Sequence, residues 1–368
     1  MSRKMSNCVI IAITLVSSLG LLATPLLAQH YTRTDLATDD AKVSPAPNID
    51  PHLVNAWGLS RSSGSPWWVA DNGTGLSTLY DLNGVPQSLV VTIPAPMGNS
   101  GTSTPTGTVF NYAVNSFNVG PDQHAIFLFV TEDGTISGWN PNVNPTTAVI
   151  KVDNSKNGAI YKGCALATLK GGAQRLYVTN FASGKVEMYN GNFHFLPRDA
   201  FQDTELPKNY APFGIQNVGG SIVVTFARRM PGEGDEDHGA GLGYVDVFDL
   251  DGNLLLRLQH GSFLNAPWGI ALAPGDFGSF SHRLIIGNFG DGNVLAFNTF
   301  SGKFEGKLVD ATGAPIWIDG LWALSFGANS ANSGLATELY FTAGPKDESH
   351  GLFGKLAAVS TDQRGNSE

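Results

Sequence analysis

Six short stretches of the chain share a spacing and carry residue types able to do chemistry. A glycine opens an apolar run at Trp57-Gly58, Thr106-Gly107, Lys162-Gly163, Phe213-Gly214, Trp268-Gly269 and Asp319-Gly320, at intervals of 49, 56, 51, 55 and 51 residues. If a fold gathers the residues that precede these glycines, Trp57, Phe213 and Trp268 supply aromatic faces for stacking, while Lys162 and Asp319 orient polar groups. That is the composition of a site for a small organic or sugar-like ligand. A second set, Glu132, Asp133, Asn180, Asn288 and again Asp319, consists of hard oxygen donors of the kind that hold Ca²⁺. A cation bound there would polarise an ester or lactone carbonyl and support hydrolysis. Plainer roles compete with both. Trp, Phe and Gly at strand starts pack one repeat on the next, Asn or Asp before Gly is turn chemistry, and Lys162 and Asp319 would satisfy each other as an ion pair across a channel.

The spacing also indicates which elements position these residues. Units of about fifty residues, each holding several short strands, indicate a radial β-propeller. Each unit reads as four strands, A to D from the centre outward; in the fifth these are residues 268–272, 282–287, 293–297 and 303–309. Asn83-Gly84 in the first unit and Asp251-Gly252 in the fourth are hairpin signals between strands C and D. The sixth unit is one strand short, and the alternating segment 31–36 belongs to no unit. That segment is therefore expected to supply the missing outer strand and close the ring. The expectation is an all-β, six-bladed propeller of four-stranded blades over residues 29–360. In this geometry the D–A and B–C connections share one face. The pre-glycine residues therefore converge with Asp71-Asn72, Glu132-Asp133, Asn180-Phe181, residues 228–241, Asn288-Phe289 and Asp347-Glu348-Ser349-His350 at one mouth of the channel, where function is expected.

Composition sets the class and the compartment. With 44 Gly, 20 Pro and 14% charged residues, the chain favours turns and short strands over long amphipathic helices. Arg3 and Lys4 precede an apolar run over residues 8–22, and Ala28 follows as a small residue, the pattern of a secretory signal peptide. Residues 1–28 are read as that leader, and the mature protein is expected in the periplasm or outside the cell, free of the membrane and monomeric. Residues 361–368 read as a polar tail. With the leader removed, Cys164 is the remaining cysteine, so no intrachain disulfide is expected; its apolar neighbours suggest a buried, inert thiol. The net charge of −9 becomes more negative without Arg3 and Lys4, which argues against a nucleic-acid partner. There is no G-x-S-x-G elbow and no HExxH helix. The glycines between residues 232 and 243 are interrupted by acids and form no phosphate loop; that segment reads as a mobile, solvated loop, with gating of the channel or cation binding as the lesser alternative.

The runs Pro267-Trp268-Gly269-Ile270-Ala271, Gly287-Asn288-Phe289-Gly290-Asp291-Gly292, Pro212-Phe213-Gly214-Ile215-Gln216 and 319–327 resemble an uncharacterised bacterial exported family. Its members are similar to NHL-repeat and SMP-30-like six-bladed propellers, and some carry a PEP-CTERM sorting tail. The likeness covers nearly the whole mature chain and implies the same propeller, but it brings no established activity. Residues 361–368 contain no apolar span of the sorting-tail kind. SMP-30-like lactonases imply the alternative to a small-ligand-binding or interaction module, a Ca²⁺-dependent hydrolase of the lactonase or esterase type. The pattern departs from them, because acidic or amide residues are expected at several inner-strand starts and Asp319 alone fits.

Overall fold

The computed structural model describes residues 30–232 and 234–359; the expected leader and polar tail lie outside the described residues. Among the described residues there is no α-helix, and six sheets stand around a central channel. Blade 1 runs outward through Ala56–Ser60, Trp67–Asp71, Leu76–Tyr80 and Val91–Thr92. Blade 2 comprises Pro105–Phe110, Phe127–Thr131, Thr135–Trp139 and Val149–Asp153. Blade 4 comprises Tyr210–Val218, Ser221–Arg229, Tyr244–Phe248 and Leu254–Arg257. Blade 5 comprises Pro267–Leu272, Leu284–Asn288, Val294–Phe297 and Phe304–Lys307.

Blade 3 has Tyr161–Thr168, Gln174–Asn180 and Lys185–Asn190, with its outer position reduced to a single bridge between Tyr189 and Phe195. Blade 6 has Leu321–Phe326, Glu338–Ala343 and Leu352–Ala358, and the N-terminal strand Tyr31–Thr38 adds to it antiparallel, from Tyr31 opposite Ala358 to Thr38 opposite Leu352. The closure expected from residues 31–36 is therefore present and extends two residues further.

The second strands are mostly apolar because each blade is covered on both faces by its neighbours. Trp67–Asp71, Phe127–Thr131 and Leu284–Asn288 are buried throughout. Successive side chains point to opposite faces of a strand, so adjacent tryptophans seal both seams of blade 1. Trp67 meets Tyr340 of blade 6 at 4.7 Å, and Trp68 stacks on Phe127 of blade 2 at 4.2 Å between ring centroids. Cys164 lies buried in the inner strand of blade 3, where burial pushes its thiol up to about 12.

The repeat glycines mark where inner strands of successive blades touch. A Cβ on Gly58 would lie 2.2 Å from the Thr106 carbonyl oxygen, one on Gly107 2.6 Å from the Cys164 nitrogen, and one on Gly214 2.1 Å from the Trp268 oxygen. Each of the six inner strands carries a register shift at this point, between residues such as Pro267 and Gly269 or Pro212 and Ile215. A bulge of this kind turns a strand and re-aims one side chain. Here it turns the residue before each glycine toward the channel.

The sixth unit requires a correction. Leu321 pairs with Ala343 and Leu324 with Phe341, in the place that Pro267 opposite Asn288 and Gly269 opposite Gly287 occupy in blade 5. The bulged pair is therefore Trp322-Ala323, not Asp319-Gly320. The Ala323 methyl is accommodated in a cluster with Ala56 and Leu59. Gly320 belongs to the preceding connection, with φ of 63° and a Cβ position 2.1 Å from the Gly344 oxygen. Replacing Gly214 with Ala is expected to destabilise the fold by about 1–3 kcal/mol through forced displacement of the Trp268 backbone, measured as a lower urea midpoint with an unchanged slope.

Candidate functional site

The six bulges bring Trp57, Thr106, Lys162, Phe213, Trp268 and Trp322 to one end of the channel. Trp322, absent from the set expected from sequence, is its centre. Its ring stacks on Trp57 at 3.7 Å and on Phe289 at 4.1 Å, giving a pile of three rings. Phe213 and Trp268 meet it edge-on at 5.8 and 6.0 Å. The indole nitrogen of Trp322 donates to Asn55 Oδ1, and that of Trp268 donates to the Lys162 carbonyl. Trp57, Phe213 and Trp322 are fully buried and Trp268 partly so, so the rings plug the channel beneath its mouth.

Lys162 lies on that plug with no exposed surface. Its Nζ is 5.1, 5.6 and 5.9 Å from the ring centroids of Trp57, Phe181 and Phe213. It donates to Glu132 Oε1 at 2.6 Å, Asp235 Oδ1 at 2.9 Å and Glu236 Oε2 at 3.3 Å. The pairing with Asp319 considered from sequence does not form. The acidic partners come from the B–C connections of blades 2 and 4. Within the 232–243 segment read as a mobile solvated loop, Glu236–Asp237 instead pairs with the end of Ser221–Arg229, and an Arg228–Asp237 ion pair fixes the return.

The network continues across the mouth. Asn72 Nδ2 donates to Glu132 Oε2 at 2.9 Å, and Asn55 Nδ2 donates to Asn72 Oδ1 at 3.3 Å and to Glu348 Oε2 at 2.6 Å. Three carboxylates thus contact one ammonium, and a fourth, Glu348, joins the network through Asn55. Burial disfavours a charged Lys162, but Glu236, Glu132 and Asp235 outweigh that effect and hold it well above its ordinary value. Burial also raises Glu236, since it has only a share of that single positive charge. Burial, and then the nearby charge of Glu236, push Glu348 up to about 7.

Glu348 reaches the network through an unusual backbone. Lys346, Asp347 and Glu348 have φ of 59°, 51° and 63°, three successive non-glycine residues in the left-handed region. Each such residue costs roughly 1–2 kcal/mol. The turn is held by Glu348 N donating to the Gly344 carbonyl and by Asp319 Oδ2, which accepts the Lys346 backbone N–H at 3.0 Å. Asp319 therefore acts at the rim, on the turn that presents Glu348. Strain of this kind persists only where surrounding contacts impose it, and it concentrates at functional sites.

The five oxygen donors considered for calcium do not share a centre. Glu132 faces Lys162. Asp133 accepts the backbone N–H and the hydroxyl of Thr104 at 2.8 and 3.0 Å. Asn180 donates to Glu187, Asn288 donates to Asp291 and to the Phe263 carbonyl, and Asp319 caps its turn. Among the described residues no group of three or more His, Cys, Asp or Glu is placed to hold a metal ion. The B–C loops identified from sequence do contain Asn72, Glu132, Glu236 and Glu348. The signal for Trp322 was the likeness of Trp322-Ala323-Leu324-Ser325 to Trp57-Gly58-Leu59-Ser60. Replacing Lys162 with Met, which strands the buried Glu236 beside the half-buried Glu132, should cost about 3–5 kcal/mol at neutral pH. The loss should shrink as pH falls and those carboxylates take up protons, a trend measurable by denaturant titration at several pH values.

No protein-family model matches the chain. It is 31% identical over 324 residues to uncharacterized protein R648 of Acanthamoeba polyphaga mimivirus, covering 86% of this chain and 78% of that protein. It is 30% identical over 325 residues to uncharacterized protein L690 of the same virus, covering 84% and 82%. These relatives are viral, and they lend no support to the bacterial origin or the sorting-tail association that the motifs suggested. Among solved structures, virginiamycin B lyase from Staphylococcus aureus aligns with a TM-score of 0.51 at 12% identity over 90% of this chain and all of that one. A glucose dehydrogenase aligns with a TM-score of 0.53 at 12% identity over 89% of this chain and all of that one. Both likenesses concern the fold. The chain belongs to the family of the mimivirus proteins R648 and L690, and it is folded as a six-bladed, NHL-like β-propeller.

Proposed function

We propose that this protein is an exported ligand-binding propeller that takes a small, positively charged organic ligand at the channel mouth. The observation that carries this reading is the imbalance of charge: Glu132, Asp235 and Glu236 share the single ammonium of Lys162, and Glu348 joins the same network through Asn55. An amine arriving at that surface gains carboxylate partners, and the gain increases as water is excluded. Export is supported by the leader pattern of residues 1–28. Among the described residues no helix is long and apolar enough to cross a membrane. The competing reading is a divalent cation, Ca²⁺ in particular, activating an ester or lactone at the same carboxylates. It is weakened by Lys162, whose ammonium already stands where such an ion would balance them.

Melting temperatures with choline, putrescine or CaCl₂ separate the two readings. A rise with an amine that Glu132→Gln abolishes supports the proposal. A rise with CaCl₂ alone, reversed by EDTA and accompanied by esterase or lactonase turnover, overturns it.

The pH dependence provides a further check. Between the ordinary carboxyl range near pH 4.3 and about 7, folded Glu348 holds a proton that the unfolded chain has released. Stability from this group therefore falls as pH rises through that window. Melting temperature is expected to decline from pH 5 to pH 7.5 in the wild type and to decline less in Glu348→Gln.

A further inference from the structure

The incomplete outer edge of blade 3 leaves a second place for a ligand. After Lys185–Asn190 the chain turns tightly, with Asn190 N donating to the His194 carbonyl. It returns only far enough for Leu196 N to reach the Met188 carbonyl, then crosses to blade 4, where Phe201 packs on Phe248. The upper part of that edge has no covering strand. Between it and Val149–Asp153 of blade 2 lies a cleft of about 550 Å³, at the outer rim of the face that carries the mouth.

Its floor is a prearranged set of polar groups. Glu187 Oε2 accepts the hydroxyls of Tyr161 and Tyr189 at 2.9 and 2.6 Å, and Oε1 accepts Asn180 Nδ2 at 2.6 Å. Asn154 Nδ2 donates to both tyrosine oxygens, at 2.7 and 3.1 Å. Burial, above all, raises both tyrosines, so their hydroxyls stay protonated. Each carboxylate oxygen can accept more than one hydrogen bond, so Oε1, with one donor, retains acceptor capacity. The wall is aromatic: Phe195 is 53% exposed and stands 5.7 Å from Tyr189 between ring centroids. Asn157 and Ser183 add exposed polar groups at the rim.

We infer that this cleft binds a pyranose ring, free or at the end of a glycan. A pyranose presents one face of C–H bonds and an edge of hydroxyls. The first suits the open face of Phe195, and the second suits Glu187 Oε1 with the rim amide and hydroxyl. Lys151, the one cation among the lining residues, lies over the Phe193 ring and not on the floor, so an anion entering the cleft would still meet the charge of Glu187, and a wholly apolar ligand would cover the amides without satisfying them. The inference is independent of the channel mouth, since neither Lys162 nor its carboxylates line the cleft.

Saturation-transfer NMR on the full chain tests it, using methyl glycosides of glucose, galactose, mannose and N-acetylglucosamine, and linear oligomers of the same sugars. Binding of at least one is expected; a preference for the oligomer identifies a glycan end, and equal binding identifies a free sugar. Phe195→Ala should weaken that binding about tenfold with little change in melting temperature. Phe300→Ala, which removes a ring that is 93% exposed on blade 5, away from the cleft, should leave it unchanged. The inference fails if no sugar of the set binds at millimolar concentration, if Phe195→Ala binds as the wild type does, or if Phe300→Ala weakens binding equally.

Discussion

The structure depends on backbone contact between the inner strands of successive blades. At Gly58, Gly107 and Gly214 the neighbouring main chain stands where a side chain would begin, and the hydroxyls of Thr106 and Thr179 donate across the seams to the carbonyls of Tyr161 and Phe213. These contacts make the channel narrow, and the narrow channel forces the residue beside each glycine up to the mouth. Packing and site therefore arise from the same bulge. A residue chosen there for its chemistry must also fit the ring, which is why four of the six are large aromatics stacked into a plug.

Much of the fold was legible in the sequence, because blade strands are short, apolar and bounded by Gly, Asn and Asp. The hairpin at Asn83-Gly84, the period near fifty residues and the unpaired segment at residue 31 sufficed for blade number and closure. The sixth unit was misaligned because the alignment rested on glycine. The physical requirement at that point is a small residue at a bulge, and Ala323 meets it at the seam with blade 1. Lys162 stood out as a charge at the start of an apolar strand, but its partners did not. Asp235 and Glu236 reach it only because the long loop of blade 4 folds back as a short strand, and Glu348 only through three left-handed residues. Local propensity opposes that second conformation, so no sequence pattern announces it.

The comparisons divide along the same line. Propellers that share this frame at 12% identity include a lyase and a dehydrogenase, and the frame transmits nothing about chemistry. What distinguishes this chain is the occupancy of equivalent positions: a lysine where the neighbouring blades place threonine and phenylalanine, and a blade without its outer strand. Such differences between repeats arise without disturbing the ring, because each blade contacts only its neighbours and the channel.

The pairing of Tyr31–Thr38 with Leu352–Ala358 has a consequence for how the molecule is made. Among the described strands, Tyr31–Thr38 has only the short parallel strand Asn48–Ile49 beside it until the last blade exists, so its other edge must wait through most of translation. Contacts this distant in sequence form slowly, and a strand with a free edge is open to pairing with other chains in the meantime. Its sequence lowers that hazard: Thr32, Arg33, Thr34 and Asp35 interrupt any apolar run, and the Arg33–Asp35 pair keeps charge on the strand. The ring is thus closed by strands more than three hundred residues apart, and it can close only once residues 352–358 have been made.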